Sequence, residues 1–237
     1  MDLIRTEWGV AVSRPGAAPL LIRRIVGVGR NYADHAQEMG ASRPERPLLF
    51  AKAVTSASAP GEPIVLPACC RDREQVDYEG ELAVIIGQRC RDVREDDALG
   101  VVLGYCCAND VSARWWQKQG AGGQFHRGKS FDTFCPLGPR VTPAADAPDP
   151  QALELTTRLN GEVVQSAGTS QMLFPVRELI AEISRDTTLL PGTVILTGTP
   201  AGVGFGRSPQ RFLRSGDTVE VEISGLGVLR SEVRDGC

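Results

Sequence analysis

No stretch of the chain approaches the roughly 18 consecutive apolar residues that a membrane-spanning helix requires, so no membrane partner is expected. Met1 to Val10 holds Asp2, Arg5 and Glu7 and no apolar segment of the length a secretory signal needs. The seven cysteines, Cys69, Cys70, Cys90, Cys106, Cys107, Cys135 and Cys237, form no Cys-x-x-Cys pair and are odd in number. That pattern argues against a disulfide framework or a zinc cage and points to a reducing, cytoplasmic setting. With a formal net charge of -3 and a pI near 5.5, the chain carries no basic footprint for nucleic acid. The Gly27-x-Gly29 turn lacks the third glycine of the dinucleotide fingerprint, position 32 being Tyr, and no organic cofactor is expected. Histidine is scarce, with only His35 and His126, and neither an internal repeat nor a low-complexity tract is present.

What is abundant is punctuation. Twenty-six glycines and 16 prolines in 237 residues indicate many turns and hence a β-rich, loop-rich chain, long enough for one full core and too short for two comfortable ones. The fold class read from this is α+β, β-rich. Residues 1–23 read as an N-terminal hairpin or extension breaking at Pro15-Gly16, and residues 24–237 as a single domain. Leu82 to Ile86 is an unbroken apolar run closed by Gly87, the pattern of a strand buried on both faces. Gly100 to Ala108 and Thr193 to Thr197 read the same way. Asn160-Gly161 is the strongest hairpin signal, and Val176, Leu179, Ile180 and Ile183 have helical spacing. A short helix is predicted between Asn31 as N-cap and Gly40 as C′, and Asp110 is a candidate N-cap for a helix over 111–119.

Glu79 and Glu81 flank Gly80 at the entrance to the central apolar run. Period-two alternation aims both at one side of the sheet, with Cβ atoms roughly 7 Å apart. An isolated Glu-x-Glu belongs by default on a solvated edge. At the mouth of a buried strand, two anions repel unless a cation lies between them. Asp110, at the end of the next buried strand, is placed to close such a site. Three carboxylates suit a hard ion, Mg²⁺ or Mn²⁺ with Ca²⁺ also admissible, and the lack of His or Cys argues against zinc. On the predicted helix, His35 and Glu38 stand at i and i+3, and a carboxylate partner fixes the imidazole tautomer as a general base requires. Lys52 either reaches an anionic ligand or snorkels, and Lys129 lies among aromatics. The loop from Gly198 exposes backbone N-H groups and Thr199 to a ligand carboxylate.

Four stretches in order, Gly-Arg-Asn-Tyr-Ala-Asp-His at 29–35, Asp-Tyr-Glu-Gly-Glu-Leu at 77–82, Asn-Asp-Val-Ser-Ala-Arg at 109–114 and Thr-Gly-Thr-Pro-Ala-Gly-Val-Gly at 197–204, resemble the fumarylacetoacetate hydrolase family. Arg-Gly-Lys-Ser-Phe-Asp at 127–132 adds a fifth, and the likeness covers residues 24–234. The resemblance implies a mixed β-roll or barrel with short flanking helices, usually homodimeric, and a short member of the acylpyruvase and fumarylpyruvate hydrolase type. It implies Glu79, Glu81 and Asp110 as ligands of Mg²⁺ or Mn²⁺, and His35 with Glu38 as an acid-base dyad. Gln117, Lys129 and Thr199 match substrate-contacting or oxyanion-stabilising positions, with Arg30, Lys52 and Arg114 assisting. The chain departs from the family at Trp115-Trp116, where an Asp is common.

The function expected first is metal-dependent hydrolysis of the C-C bond of a β-diketo acid such as an acylpyruvate, giving pyruvate and a carboxylic acid. Its alternative keeps the same site for isomerisation or tautomerisation of a 2-hydroxy-diene dioate, or for oxaloacetate decarboxylation. A silent scaffold on the same fold has no physical use for the full set of carboxylates, dyad and lysine.

Overall fold

The computed structural model describes residues 1–40 and 42–236; Cys237 lies outside the described residues, as does position 41. The apolar run forms the strand Gly80–Ile86, buried at every residue. It is apolar throughout because each face meets a different core. Leu82, Val84 and Ile86 pack with Val26, Ile195 and the helix Val176–Ser184. Ala83 and Ile85 pack on the opposite face with Ile25, Val194, Cys106 and Leu137. Burying each of the larger aliphatic side chains is worth about 1.5–3 kcal/mol.

That strand is the middle member of a seven-stranded mixed sheet, ordered Leu48–Lys52, Arg24–Gly29, Thr193–Leu196, Gly80–Ile86, Val102–Asn109, Cys135–Pro143 and Ala57–Ser58. The sheet curls into a half-barrel. A five-stranded sheet carries the Asn160-Gly161 hairpin between Glu154–Leu159 and Glu162–Gly168, together with Thr218–Ile223, Gly227–Asp235 and Ile64–Leu66. The mixed, strand-rich fold with short helices is the one the sequence predicts. No helix among the described residues is long and apolar enough to cross a membrane.

The first 23 residues form three strands rather than one hairpin: Leu3–Thr6, Gly9–Arg14 and Ala17–Leu21. Their Leu3, Val10, Val12 and Leu20 join the same core as Ala83 and Ile85.

Two local predictions are corrected. The first helix is shorter, Ala33–Glu38, and its N-cap is Tyr32. The Asn31 amide is drawn instead to the carbonyls of Phe174 and Thr197, at 3.1 and 2.7 Å, and its Oδ1 accepts the Phe174 N-H at 2.8 Å. The predicted helix over 111–119 starts later: Ser112–Ala113 is a strand paired with Val76–Asp77, and the helical part is a short segment that ends in the π-helix Trp116–Gly120. Sheet pairing wins there because the Arg114 N-H finds the Gln75 carbonyl at 2.9 Å. Asp110 therefore caps no helix.

Candidate active site

In the antiparallel ladder of Gly80–Ile86 and Val102–Asn109, Gly80 stands opposite Asn109 and Glu81 opposite Ala108. One step outward the Asp110 N-H donates to the Glu79 carbonyl at 2.8 Å, which continues the pairing. Cross-strand partners share a face and i, i+2 residues share a face, so register alone converges Glu79, Glu81 and Asp110. An oxygen from each lies within 4.8 Å of the others, and all three residues are buried. Glycine is required between the glutamates: a Cβ at Gly80 would lie 2.0 Å from Thr157 Oγ1.

Three buried cations meet this cluster. Lys129 Nζ donates to Glu79 Oε2 at 2.7 Å, Asp110 Oδ2 at 2.6 Å and Ser112 Oγ at 2.8 Å. Lys52 Nζ donates to Asp110 Oδ1 at 2.5 Å. Arg114 Nε donates to Asp77 Oδ2 at 2.8 Å, and its Nη1 lies 2.6 Å from Glu79 Oε1. Burial pushes the Glu79 carboxyl up, but Lys129 and Arg114 outweigh it and hold it well below the usual carboxylate range. Glu81 differs. It accepts the Gly198 N-H at 2.8 Å and has no cation within salt-bridge distance among the described residues. Burial, and then the negative charges of Asp110 and Glu79, raise its carboxyl well above the ordinary value. Four buried carboxylates, counting Asp77, thus face three buried cations. Glu81 is the carboxylate left without a cation, and a hard divalent cation among these all-oxygen donors would favour its ionised form.

A cavity of about 380 Å³ opens over the cluster. Glu79, Glu81, Lys129, Arg114, Gln117, Thr199, His35 and Arg30 line it, as do Lys118, Phe50 and Phe125. His35 Nδ1 lies 3.1 Å from Glu38 Oε2, and Glu38 Oε1 accepts the Gly202 N-H at 2.9 Å. Gly206 permits that approach, since a Cβ there would lie 2.4 Å from Glu38 Cγ. Gln117 Oε1 accepts from Arg114 Nη1 at 3.0 Å, which fixes the amide and leaves its NH₂ as the donor toward a ligand.

Two predicted substrate contacts are placed elsewhere. Lys52 does not line the cavity; its ammonium is buried against Asp110 and the Val111 carbonyl, because the carboxylate attracts it more strongly than solvent-facing space. The Gly198 N-H is directed at Glu81 rather than at open space. The Thr199 hydroxyl lines the cavity but donates to the Gly80 carbonyl at 2.9 Å and accepts from Gln165 Nε2 at 2.7 Å.

Asp77 escaped the sequence reading, although the spacing 77, 79, 81 carried a signal. Fully buried, it orients Arg114 and accepts the Gly204 and Phe205 N-H groups at 2.8 and 3.0 Å. Gln165 had no local signal. It reaches from the five-stranded sheet to the Gly80 N-H at 2.9 Å and to Thr199.

Residues 24–234 match the family model described as fumarylacetoacetate (FAA) hydrolase C-terminal. The chain is 46% identical over 210 residues to human "Oxaloacetate tautomerase FAHD2A, mitochondrial", covering 89% of this chain and 66% of that protein. It therefore spans a little under two thirds of that relative's length. Among solved structures, the fumarylacetoacetate hydrolase of Exiguobacterium antarcticum is 43% identical with a TM-score of 0.83, over 94% of this chain and 81% of that one. The 5-carboxymethyl-2-hydroxymuconate delta-isomerase of Mycobacterium smegmatis is 39% identical with a TM-score of 0.81, over 100% and 98%. Motif order, fold and overall identity agree: the chain belongs to the fumarylacetoacetate hydrolase family.

Proposed function

We propose that this chain catalyses proton transfer at the carbon beside the carbonyl of a 2-oxo acid, a keto-enol tautomerisation or the double-bond isomerisation built on it. The observation that carries the reading is a base and an anion-stabilising cluster facing one cavity: His35, held by Glu38, and Lys129 among the carboxylates. With Nδ1-H directed to Glu38, His35 Nε2 is the basic nitrogen. It accepts the proton from carbon and delivers it to the carbonyl oxygen in the tautomerisation, or to the far carbon of the conjugated enolate in the isomerisation, a role worth about 10²- to 10⁴-fold in rate. The Gln117 NH₂ and Arg114 orient the substrate carboxylate, and Phe50 and Phe125 limit water at the reacting carbon. Glu79, Glu81 and Asp110 would hold a divalent metal, Mg²⁺ or Mn²⁺, whose chemistry when bound is to withdraw electron density from the 2-oxo group.

The activities in the names of the human relative and the Mycobacterium smegmatis structure, a tautomerase and an isomerase, support this over the C-C hydrolysis that the sequence reading put first. Hydrolysis of a β-diketo acid is the second reading, favoured by the same dyad acting on water and by the Exiguobacterium antarcticum structure's name. Purified protein with Mg²⁺ or Mn²⁺ is offered enol-enriched oxaloacetate, a 2-hydroxy-diene dioate and acetylpyruvate in parallel. Accelerated loss of enol absorbance without pyruvate release supports proton transfer. Pyruvate and acetate from acetylpyruvate, with the enol decaying at its uncatalysed rate, would replace it with the hydrolase reading.

A further inference from the structure

Charge in the cavity is unevenly satisfied. Two of its lining cations have acidic partners: Lys129 pairs with Glu79 and Asp110, and Arg114 with Asp77 and Glu79. Arg30 and Lys118 line the same cavity, are half-buried, and have no carboxylate partner among the described residues. Lys118 sits on the π-helix directly after Gln117, so the side chain that follows the orienting amide is a cation. Its Nζ lies 3.8 Å from the centre of the Phe205 ring, and Phe205 is tied to Asp77 through its N-H at 3.0 Å. The ammonium therefore has an aromatic seat but no counter-ion. Burial, and then the positive charges of Arg114 and Arg30, lower the Lys118 pKa, so an anion placed between these groups relieves repulsion as well as gaining attraction. Arg30 is held at φ 58°, a left-handed conformation uncommon outside glycine.

We infer that Lys118, with Arg30, binds a second carboxylate of the substrate, so that the cavity selects 2-oxo dicarboxylates over 2-oxo monocarboxylates; the inference rests on the 2-oxo acid reading above. One carboxylate is oriented beside Gln117 and Arg114. The other lies against Lys118 and Arg30, the lining cations that have no carboxylate partner among the described residues. Lys118 is a specificity residue in this scheme.

Binding of two acids with the same carbon skeleton tests this. 2-Oxoglutarate and 2-oxopentanoate differ in the distal carboxylate alone, and their affinities are measured by calorimetry on the Mn²⁺-supplemented full chain. Wild type is compared with Lys118→Met, which keeps an apolar stem on Phe205, and with Lys118→Arg. The expected result is tighter binding of 2-oxoglutarate by wild type and a loss of about tenfold or more for it in Lys118→Met. Binding of 2-oxopentanoate changes less than about twofold, and Lys118→Arg retains the preference, since only the distal charge is involved. Equal weakening of both acids, or no weakening, overturns the role of Lys118. Failure of wild type to bind either acid overturns the 2-oxo acid reading itself.

Discussion

Asp110 and Glu79 face each other across the end of an antiparallel ladder, joined by the Asp110 N-H on the Glu79 carbonyl at 2.8 Å and bridged through their carboxylates by Lys129 Nζ at 2.6 and 2.7 Å. The lysine neutralises what the register brings together. Lys129→Met leaves two buried carboxylates short of a cation, and breaking such a pairing costs about 3 kcal/mol, or roughly 6 to 12 °C in Tm. Mn²⁺ should raise the Tm of this variant by more than that of wild type. Thermal melts with chelator and with Mn²⁺ check both statements, and a variant as stable as wild type in chelator would remove the neutralising role.

His35 faces the cavity from outside the carboxylate cluster, its Nδ1 3.1 Å from Glu38 Oε2, and the proton transfer proposed above assigns it the role of base. His35→Ala should lower kcat by about 10²- to 10⁴-fold. Glu38→Gln keeps an oxygen for the Gly202 N-H but removes the charge beside the imidazole, and its loss should be smaller. Mn²⁺ affinity should be unchanged in both. Stopped-flow enol decay and metal titration separate the effects; a histidine variant with wild-type kcat would exclude His35 as the base.

Gly80 is confined by Thr157, whose Oγ1 lies 2.0 Å from where a Cβ would stand. Gly80→Ala should destabilise the protein by about 1–3 kcal/mol through overpacking. Because the clash is with one side-chain atom, adding Thr157→Ala should recover most of the loss. Denaturant melts of the single and double variants measure the coupling, and strict additivity would show that the contact is not the cause.

Burial raises the Asp217 carboxyl, but hydrogen bonds from Arg211, Asn160 and the Arg214 N-H outweigh it and hold it below the ordinary range. A depressed folded-state pKa contributes stability that is present above the unfolded value, about 3.9, and disappears as pH falls through the folded one. Asp217→Asn should therefore cost about 1 kcal/mol at pH 7, and the gap to wild type should narrow in the acid limb. Melts across that range decide it; a gap independent of pH would rule out linkage through this carboxylate.

Much of the architecture was legible because it follows from covalent geometry along the chain. Side chains on a strand alternate and those on a helix recur every three to four residues. The sequence by itself therefore determined the central strand, the Val176–Ser184 helix, the Asn160-Gly161 hairpin, the shared face of Glu79 and Glu81 and the proximity of His35 to Glu38. Where two local preferences competed, the prediction missed. Asn31 and Asp110 both look like helix caps in isolation, and each has stronger partners far away in sequence.

Only the tertiary structure decided that Asp110 stands opposite Glu79, that Lys52 supports Asp110 instead of lining the cavity, and that Gln165 holds Gly80 and Thr199. It also decided that Lys118 and Arg30 share a cavity with no acidic partner among the described residues. These relations depend on strand register and on hydrogen bonds between segments as much as 166 residues apart, as for Asn31 and Thr197. No local spacing encodes them, because a buried polar group takes whichever partner the assembled core brings within reach.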